Sequence, residues 1–91
     1  MLTLEFQAQF KKDVRNLIKR KWDMNLLREV TDMLQNKIEL PARYKDHQLS
    51  GNWQGYRDCH IRGNWVLIYR IFDERNVLRL VRTGSHGDLG L

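Results

Sequence analysis

"YRDCHIRGNWVLIY", residues 56–69, is the stretch on which the fold turns. Two runs of alternating and apolar residues meet at Gly63-Asn64, a dipeptide suited to a tight two-residue hairpin turn. In the first strand Tyr56, Asp58 and His60 point one way, while Arg57, Cys59 and Ile61 point the other. An acid and an imidazole therefore share one face. The second strand contains the longest unbroken apolar run of the chain, Trp65 to Tyr69. Beyond a longer turn at Asp73 to Asn76 the alternation resumes, so strands are predicted at about residues 56–62, 65–72 and 77–83.

Toward the N-terminus the period changes from two to that of a helix. In "FQAQFKKDVRNLIKRK" the residues Phe6, Phe10, Val14, Leu17 and Ile18 form an apolar stripe with bases on another flank. "WDMNLLREVTDMLQNK" restarts the pattern with Leu26, Leu27, Val30, Met33 and Leu34, and Asp23 stands where an N-cap belongs. The two helices should form an antiparallel hairpin through a turn near Lys21 to Asp23, and the second must end by Pro41. "LTLEF" ahead of them reads as an edge strand. The order β-α-α-β-β-β predicts an α+β fold, helices packed on a mainly antiparallel sheet, as one domain over residues 1–91.

Composition narrows the function classes. With 91 residues and 42% apolar content there is enough for one core and no second one. No apolar run approaches a membrane span, and "MLTLEF" lacks the basic start and apolar stretch of a signal peptide, so a cytoplasmic protein is expected. The single cysteine, Cys59, has no partner for an internal disulfide, and no zinc-ligand spacing occurs; it reads as a small buried hydrophobe. Sixteen Lys and Arg against eleven Asp and Glu leave a charge of +5, which favours nucleic acid or an acidic protein as counterpart. After Lys45 every cation is an arginine, the side chain whose planar fork binds phosphate or carboxylate through two bonds.

If the turns pair Arg62 with Trp65 and Phe72 with Val77, then His60, Leu67 and Arg82 fall in one row, with the outer two about 10 Å apart. Asp58 is two residues from His60 on the same face. The same arithmetic lines up Arg57, Arg70 and Arg79 on the opposite face, an unfavourable arrangement unless a bulge alters the register or something acidic covers the row. All three histidines, His47, His60 and His86, lie in the second half of the chain. Together with Asp58 they could be imagined as a metal site, but their spacing follows no usual ligand pattern. Neither Ser50, Ser85 nor Cys59 sits in a nucleophile motif. Metal-free acid-base chemistry on RNA fits the inventory best, because RNA carries its own nucleophile, the 2′-hydroxyl. The protein need only move two protons and stabilise the phosphate, tasks suited to histidine and to Arg82. In the first helix Lys11, Arg15 and Lys19 recur four residues apart as a stripe of one sign, which is either a solvated face partly offset by Asp13 or a contact for an RNA backbone.

"YKDHQLSGNWQGYRDCHI", "NWVLIYRI" and "RTGSH", with "KDV" in the first helix and "DMNLL" in the second, resemble the YafQ branch of the RelE-type toxins of bacterial toxin-antitoxin pairs. The resemblance runs over nearly the whole chain. It implies a RelE-like fold and a toxin that cuts messenger RNA in the A site of the 70S ribosome without a cofactor or metal ion. It further implies restraint by a cognate antitoxin, DNA reached only indirectly through that antitoxin, and no membrane partner. By position it makes His47, His60 and His86 the functional imidazoles, Arg82 the phosphate contact and Asp58 a supporting carboxylate. His60 would take the 2′-hydroxyl proton, and His86 or His47 would protonate the leaving group. Trp65 and Asn64 would flank the substrate, with Trp65 equally readable as core packing. Members of the family commonly carry Asp where Asn64 stands, and Phe where Gly90 stands. These departures leave open a weakened relative that binds ribosome or RNA without cutting.

Overall fold

The computed structural model describes residues 1–91. Five strands form one sheet: β1 (Thr3–Phe6), β2 (His47–Gln48), β3 (Arg57–Arg62), β4 (Trp65–Phe72) and β5 (Val77–Ser85). Their spatial order is β1-β5-β4-β3-β2, with β1 parallel to β5 and every other pair antiparallel. The helices are α1 (Ala8–Lys19), α2 (Met24–Gln35) and a single turn, α3 (His86–Leu89). The α+β expectation, the edge strand and the helical hairpin all match. β2 and α3 are additions, since the His47 segment and the residues after the last strand read as loop.

Both long helices end in the same way. Lys21 and Lys37 adopt left-handed backbone (φ 62° and 57°), and the next residues, Trp22 and Ile38, return their N–H groups to Leu17 and Met33. Asp23 caps α2 by accepting from the Asn25 N–H at 3.0 Å. α1 starts beside β5, where the Gln7 N–H reaches the Leu80 carbonyl, and ends beside α3, where Arg20 meets Asp88. α2 starts beside Trp65 and ends where Leu2 and Gln35 exchange hydrogen bonds, so the two run antiparallel.

The main core lies between helices and sheet and includes Phe10, Leu17, Leu27, Val30, Leu34, Leu67 and Tyr69. A smaller cluster of Val66, Ile68, Val81 and Leu89 covers the opposite face, helped by Leu49, Trp53 and Tyr56. β4 is consequently buried on both sides from Trp65 to Tyr69, which is why its apolar run does not alternate. Cys59 is fully buried in the main core, and burial pushes its thiol pKa up, leaving it inert.

The expected register holds at the turns and fails beyond them. Arg62 faces Trp65 and Phe72 faces Val77, the two pairings from which the rows were worked out, but each ladder slips once, near Ile61 and near Val81. His60 therefore faces Val66, which faces Gly84, while Asp58, Ile68 and Arg82 share the neighbouring row. The row of His60, Leu67 and Arg82 does not exist, because each bulge inserts one residue and turns the following side chains by one place. The arginine row is broken likewise: Arg57 faces Tyr69, and only Arg70 and Arg79 remain opposed. Arg57 is neutralised by Asp46 and Arg79 by Glu5, while Arg70 lies over the rings of Tyr56 and Phe72.

The second slip has a visible cause. β1 covers the edge of β5 only as far as Leu80, so the strand beyond it has no ladder partner on that side. Asp13, in the apolar stripe of α1 and 8% exposed, fills that gap. Its carboxylate accepts from the Thr83 N–H at 3.1 Å and from two nitrogens of Arg82 at 2.8 and 3.1 Å. The Asp13 bonds raise the Arg82 pKa, so the guanidinium stays charged. Asp13 thus does nothing for the Lys11, Arg15 and Lys19 stripe, whose members are exposed and unpaired. Replacing Asp13 by Ala should lower the unfolding free energy by about 1.5–3 kcal/mol, since it strands a guanidinium and a buried N–H. Urea denaturation checks this, and a loss of a few tenths would show the contact to be unimportant.

Candidate active site

The three imidazoles come together on the face of the sheet that carries the smaller apolar cluster. His60 is central, with ring centroids 6.4 Å from His47 and 4.9 Å from His86. Each arrives by a different route. β3 presents His60, β2 places His47 directly opposite Asp58, and α3 begins with His86 immediately after β5. The bulges are what bring His60 level with the end of β5.

His47 is held by a hydrogen bond between its Nδ1 and the Lys45 carbonyl, 2.8 Å away. A carbonyl can only accept, so Nδ1 carries the hydrogen and Nε2 of the neutral ring keeps its lone pair. The segment before it is fastened by Asp46, which accepts from the Tyr69 hydroxyl and from Nε and one terminal nitrogen of Arg57 at 3.3 and 3.1 Å. Asp46 raises the Arg57 pKa, and burial followed by the Asp46 bond raises that of the Tyr69 phenol, so the guanidinium stays charged and the phenol keeps its proton. Asp58 is 2% exposed, and its Oδ1 has no hydrogen-bond donor. That oxygen lies 3.9 Å from Nε2 of His60. A buried acceptor without a donor is costly, and the group placed to relieve it is a hydrogen on Nε2 of His60.

His86 is positioned by two links. Its N–H donates to the Asn64 carbonyl at 3.0 Å, tying it to the β3–β4 turn. The Ser85 and Asp88 side chains form a reciprocal capping box around it, and Asp88 also accepts from Arg20 at 3.1 Å. Sequence reading could have found α3 through Ser85-x-x-Asp88 followed by Gly90, which takes a positive φ of 69° at the helix end. Asp13, Asp46 and Tyr69 carried no such local signal.

The other expected site residues divide. Asn64 is exposed at the turn. Trp65 is 4% exposed, donates its indole N–H to the Thr83 hydroxyl at 2.8 Å and packs edge-on against Trp22, so it is chiefly a core residue. Arg82 is not in the imidazole row: Asp13 engages its Nε and one terminal nitrogen, and the other terminal nitrogen is left over. Lys11, Arg15 and Lys19 lie on α1, away from the imidazoles in sequence and element. No three His, Cys, Asp or Glu side chains converge as a metal ion would require.

A small α+β protein with imidazoles gathered at one end of its sheet has the build of a toxin of the kind the sequence resembles. Residues 2–90 match the family described as the bacterial toxin of type II toxin-antitoxin systems, YafQ, and the chain belongs to that family. It is similar to the mRNA interferase toxin YafQ of Escherichia coli (strain K12), with 46% identity over 94% of this chain and 92% of the relative. The toxin in the E. coli DinJ-YafQ complex superposes with a TM-score of 0.87 at 44% identity, covering 98% of both chains. A metal-bound toxin from Helicobacter pylori superposes with a TM-score of 0.92 at 40% identity, covering 98% of this chain and 99% of that one.

The capping box makes a pH prediction. The Ser85 N–H first, then Arg20, hold the Asp88 carboxyl below its ordinary value of 3.8. A lowered folded-state pKa means that the unfolded chain binds the proton more readily. This contribution is therefore complete above about pH 4–5 and is lost as pH falls through the folded value. An Asp88→Asn variant should be less stable at pH 7 and should lose less stability than the native chain between pH 5 and pH 3. Parallel acid slopes in pH-dependent urea melts would refute the assignment.

Proposed function

We propose that this toxin, an mRNA interferase and so an endoribonuclease, cuts message in the ribosomal A site by in-line attack of the RNA 2′-hydroxyl. The observation that supports this reading best is the line of three imidazoles beside a buried carboxylate with an unfilled acceptor.

In this scheme His60 removes the 2′-hydroxyl proton. The proton goes to Nδ1, while the hydrogen on Nε2 faces Asp58 Oδ1 across 3.9 Å, and that buried carboxylate favours the ring as it becomes positive. The 2′-oxygen bonds to phosphorus, the bond from phosphorus to the 5′-oxygen breaks, and His86 or His47 delivers a proton to that oxygen. The products are a 2′,3′-cyclic phosphate and a 5′-hydroxyl. Arg82, with two nitrogens committed to Asp13, offers its remaining terminal nitrogen to the phosphate. Protein groups alone complete the proton bookkeeping.

The partners follow from the same reading. Lys11, Arg15 and Lys19 are unpaired cations on one helix face, suited to ribosomal RNA backbone, which positions without reading sequence. Work at the ribosome places the toxin in the cytoplasm. No helix is long and apolar enough to cross a membrane. A cognate antitoxin, a small and partly disordered protein with an acidic or apolar docking segment, restrains it as DinJ accompanies the E. coli toxin, and DNA is met only through that antitoxin. An acidic segment landing on Arg57, Arg70 and Arg79 would have to displace Asp46 and Glu5 from two of the three.

A second reading has an observation behind it. Arg82 is held by Asp13, and Asn64 and Gly90 replace residues common in the family, so a relative that blocks translation without cutting is the rival. Primer extension on translated message decides. We expect breaks that end in a 2′,3′-cyclic phosphate and that weaken by about 10²–10⁴-fold in His86→Ala. Translational arrest with intact message would establish the binder instead. Cleavage on pre-assembled ribosomal complexes should survive EDTA; a loss restored by added metal would establish metal-dependent chemistry.

The basic stripe has its own readout. Neutralising Lys11, Arg15 and Lys19 together should flatten the dependence of log affinity on log salt by roughly 2–3 units for ribosome binding. An unchanged slope would return the stripe to solvent.

A further inference from the structure

Around the corner of the β3–β4 turn from the imidazoles lies a groove of about 330 Å³, large enough for a small planar ligand. Its floor is apolar and aromatic, made by Trp65, Leu26 and the partly exposed Trp22, whose ring meets that of Trp65 at 5.1 Å. Arg20 lies over the Trp22 ring at 4.4 Å and holds it in place. Lys21, Arg62 and Asn64 form the rim together with Asp23, whose carboxylate is already committed to capping α2.

Three features specify the occupant. Lys21 and Arg62 are exposed cations in no ion pair and outnumber the one carboxylate of the rim, Asp23, so the rim keeps a net positive charge that favours an anion. The Asn64 side chain donates to and accepts from nothing within the protein, leaving an amide that can meet the edge of a base. The groove borders the imidazole group, because Asn64, which lines it, accepts the backbone N–H of His86 at 3.0 Å, and Trp65 on its floor pairs with Ser85. An apolar peptide anchor would use the floor but neither the cations nor the amide.

We propose that this groove is a nucleotide subsite that takes the base flanking the cleaved linkage, with Trp22 as stacking surface, Asn64 at the base edge and Arg62 with Lys21 at the next phosphate. The proposal rests on the reading of the imidazole face as the place of RNA cleavage. It adds a second point of substrate recognition, on the helix side of the sheet, formed by residues from the α1–α2 turn. Base stacking on one aromatic side chain is worth about five- to hundred-fold in affinity, which is enough to bias the choice of codon.

The test is cleavage kinetics on ribosomes programmed with a panel of codons that differ at one position at a time. Trp22→Ala and Arg62→Gln are each expected to raise KM about five- to hundred-fold, with a smaller effect on kcat, and to flatten discrimination at a single codon position. Trp22→Phe should restore most of the discrimination. Arg62 is on the surface, so its variant carries the test even if Trp22→Ala fails to fold in a thermal melt. An Arg62→Gln enzyme with native KM and native codon profile overturns the subsite. So does a variant that loses only affinity for an antitoxin, which would assign the groove to a protein partner. A native toxin that cleaves no codon at all overturns the imidazole reading itself, and the subsite falls with it.

Discussion

One carboxylate governs how the second half of β5 is placed. β1 ends at Phe6, and a strand edge left bare beside a helix would expose the Thr83 N–H and a charged Arg82 to a partly apolar surrounding. Asp13 removes that problem by accepting from both groups, and in doing so it locks α1 against the sheet. The bulge near Val81 can then persist, because Arg82 is drawn sideways to the helix while Val81 keeps its place in the smaller apolar cluster. β5 continues to Ser85 as a consequence and delivers His86 beside His60.

The imidazole group is thus built from register rather than from sequence proximity. β3 and β4 slip by one residue near Ile61, which sets His60 against Val66 and Gly84, and β2 sets His47 against Asp58. Asp46 clamps the start of β2, and Asp88 clamps the end of β5. His47 and His86 therefore each have a fixed support on either side of His60, an arrangement that would lower the cost of organising three side chains around one phosphate on the proposed reading.

What could be read from the sequence was whatever repeats or punctuates. The helix stripes, the Asp23 cap, the β4 run and both turns are local patterns, and each matched an element. The convergence of the histidines was legible only coarsely, since alternation gives the face but not the row. A bulge leaves no compositional mark, so the expected row of His60, Leu67 and Arg82 was lost at the first slip. β2 is two residues long, too short to show any period. Asp13 lies 69 residues from Arg82, and in the sequence it looks like one more surface acid on a basic helix. Its burial in the apolar stripe is a tertiary fact.

If the imidazole group is where RNA is cut, its exposure requires binding to be spread over the molecule. His47 is exposed, and His60 and His86 are only partly covered, so the imidazoles cannot exclude water or hold RNA by enclosure. In acid-base cleavage through the 2′-hydroxyl the decisive demand is geometric, because attacking oxygen, phosphorus and leaving oxygen must be brought into line. A surface this open can meet that demand only if remote contacts hold the strand. The basic face of α1 and the aromatic groove at the hairpin turn are both outside the imidazole group, and they differ in kind: one is charge without shape, the other shape with a few polar groups. On the proposed reading the first would bring the toxin to a ribosome irrespective of sequence, and the second would reward one base over another at the moment of cutting. Affinity and selectivity would then reside on separate residues of the chain.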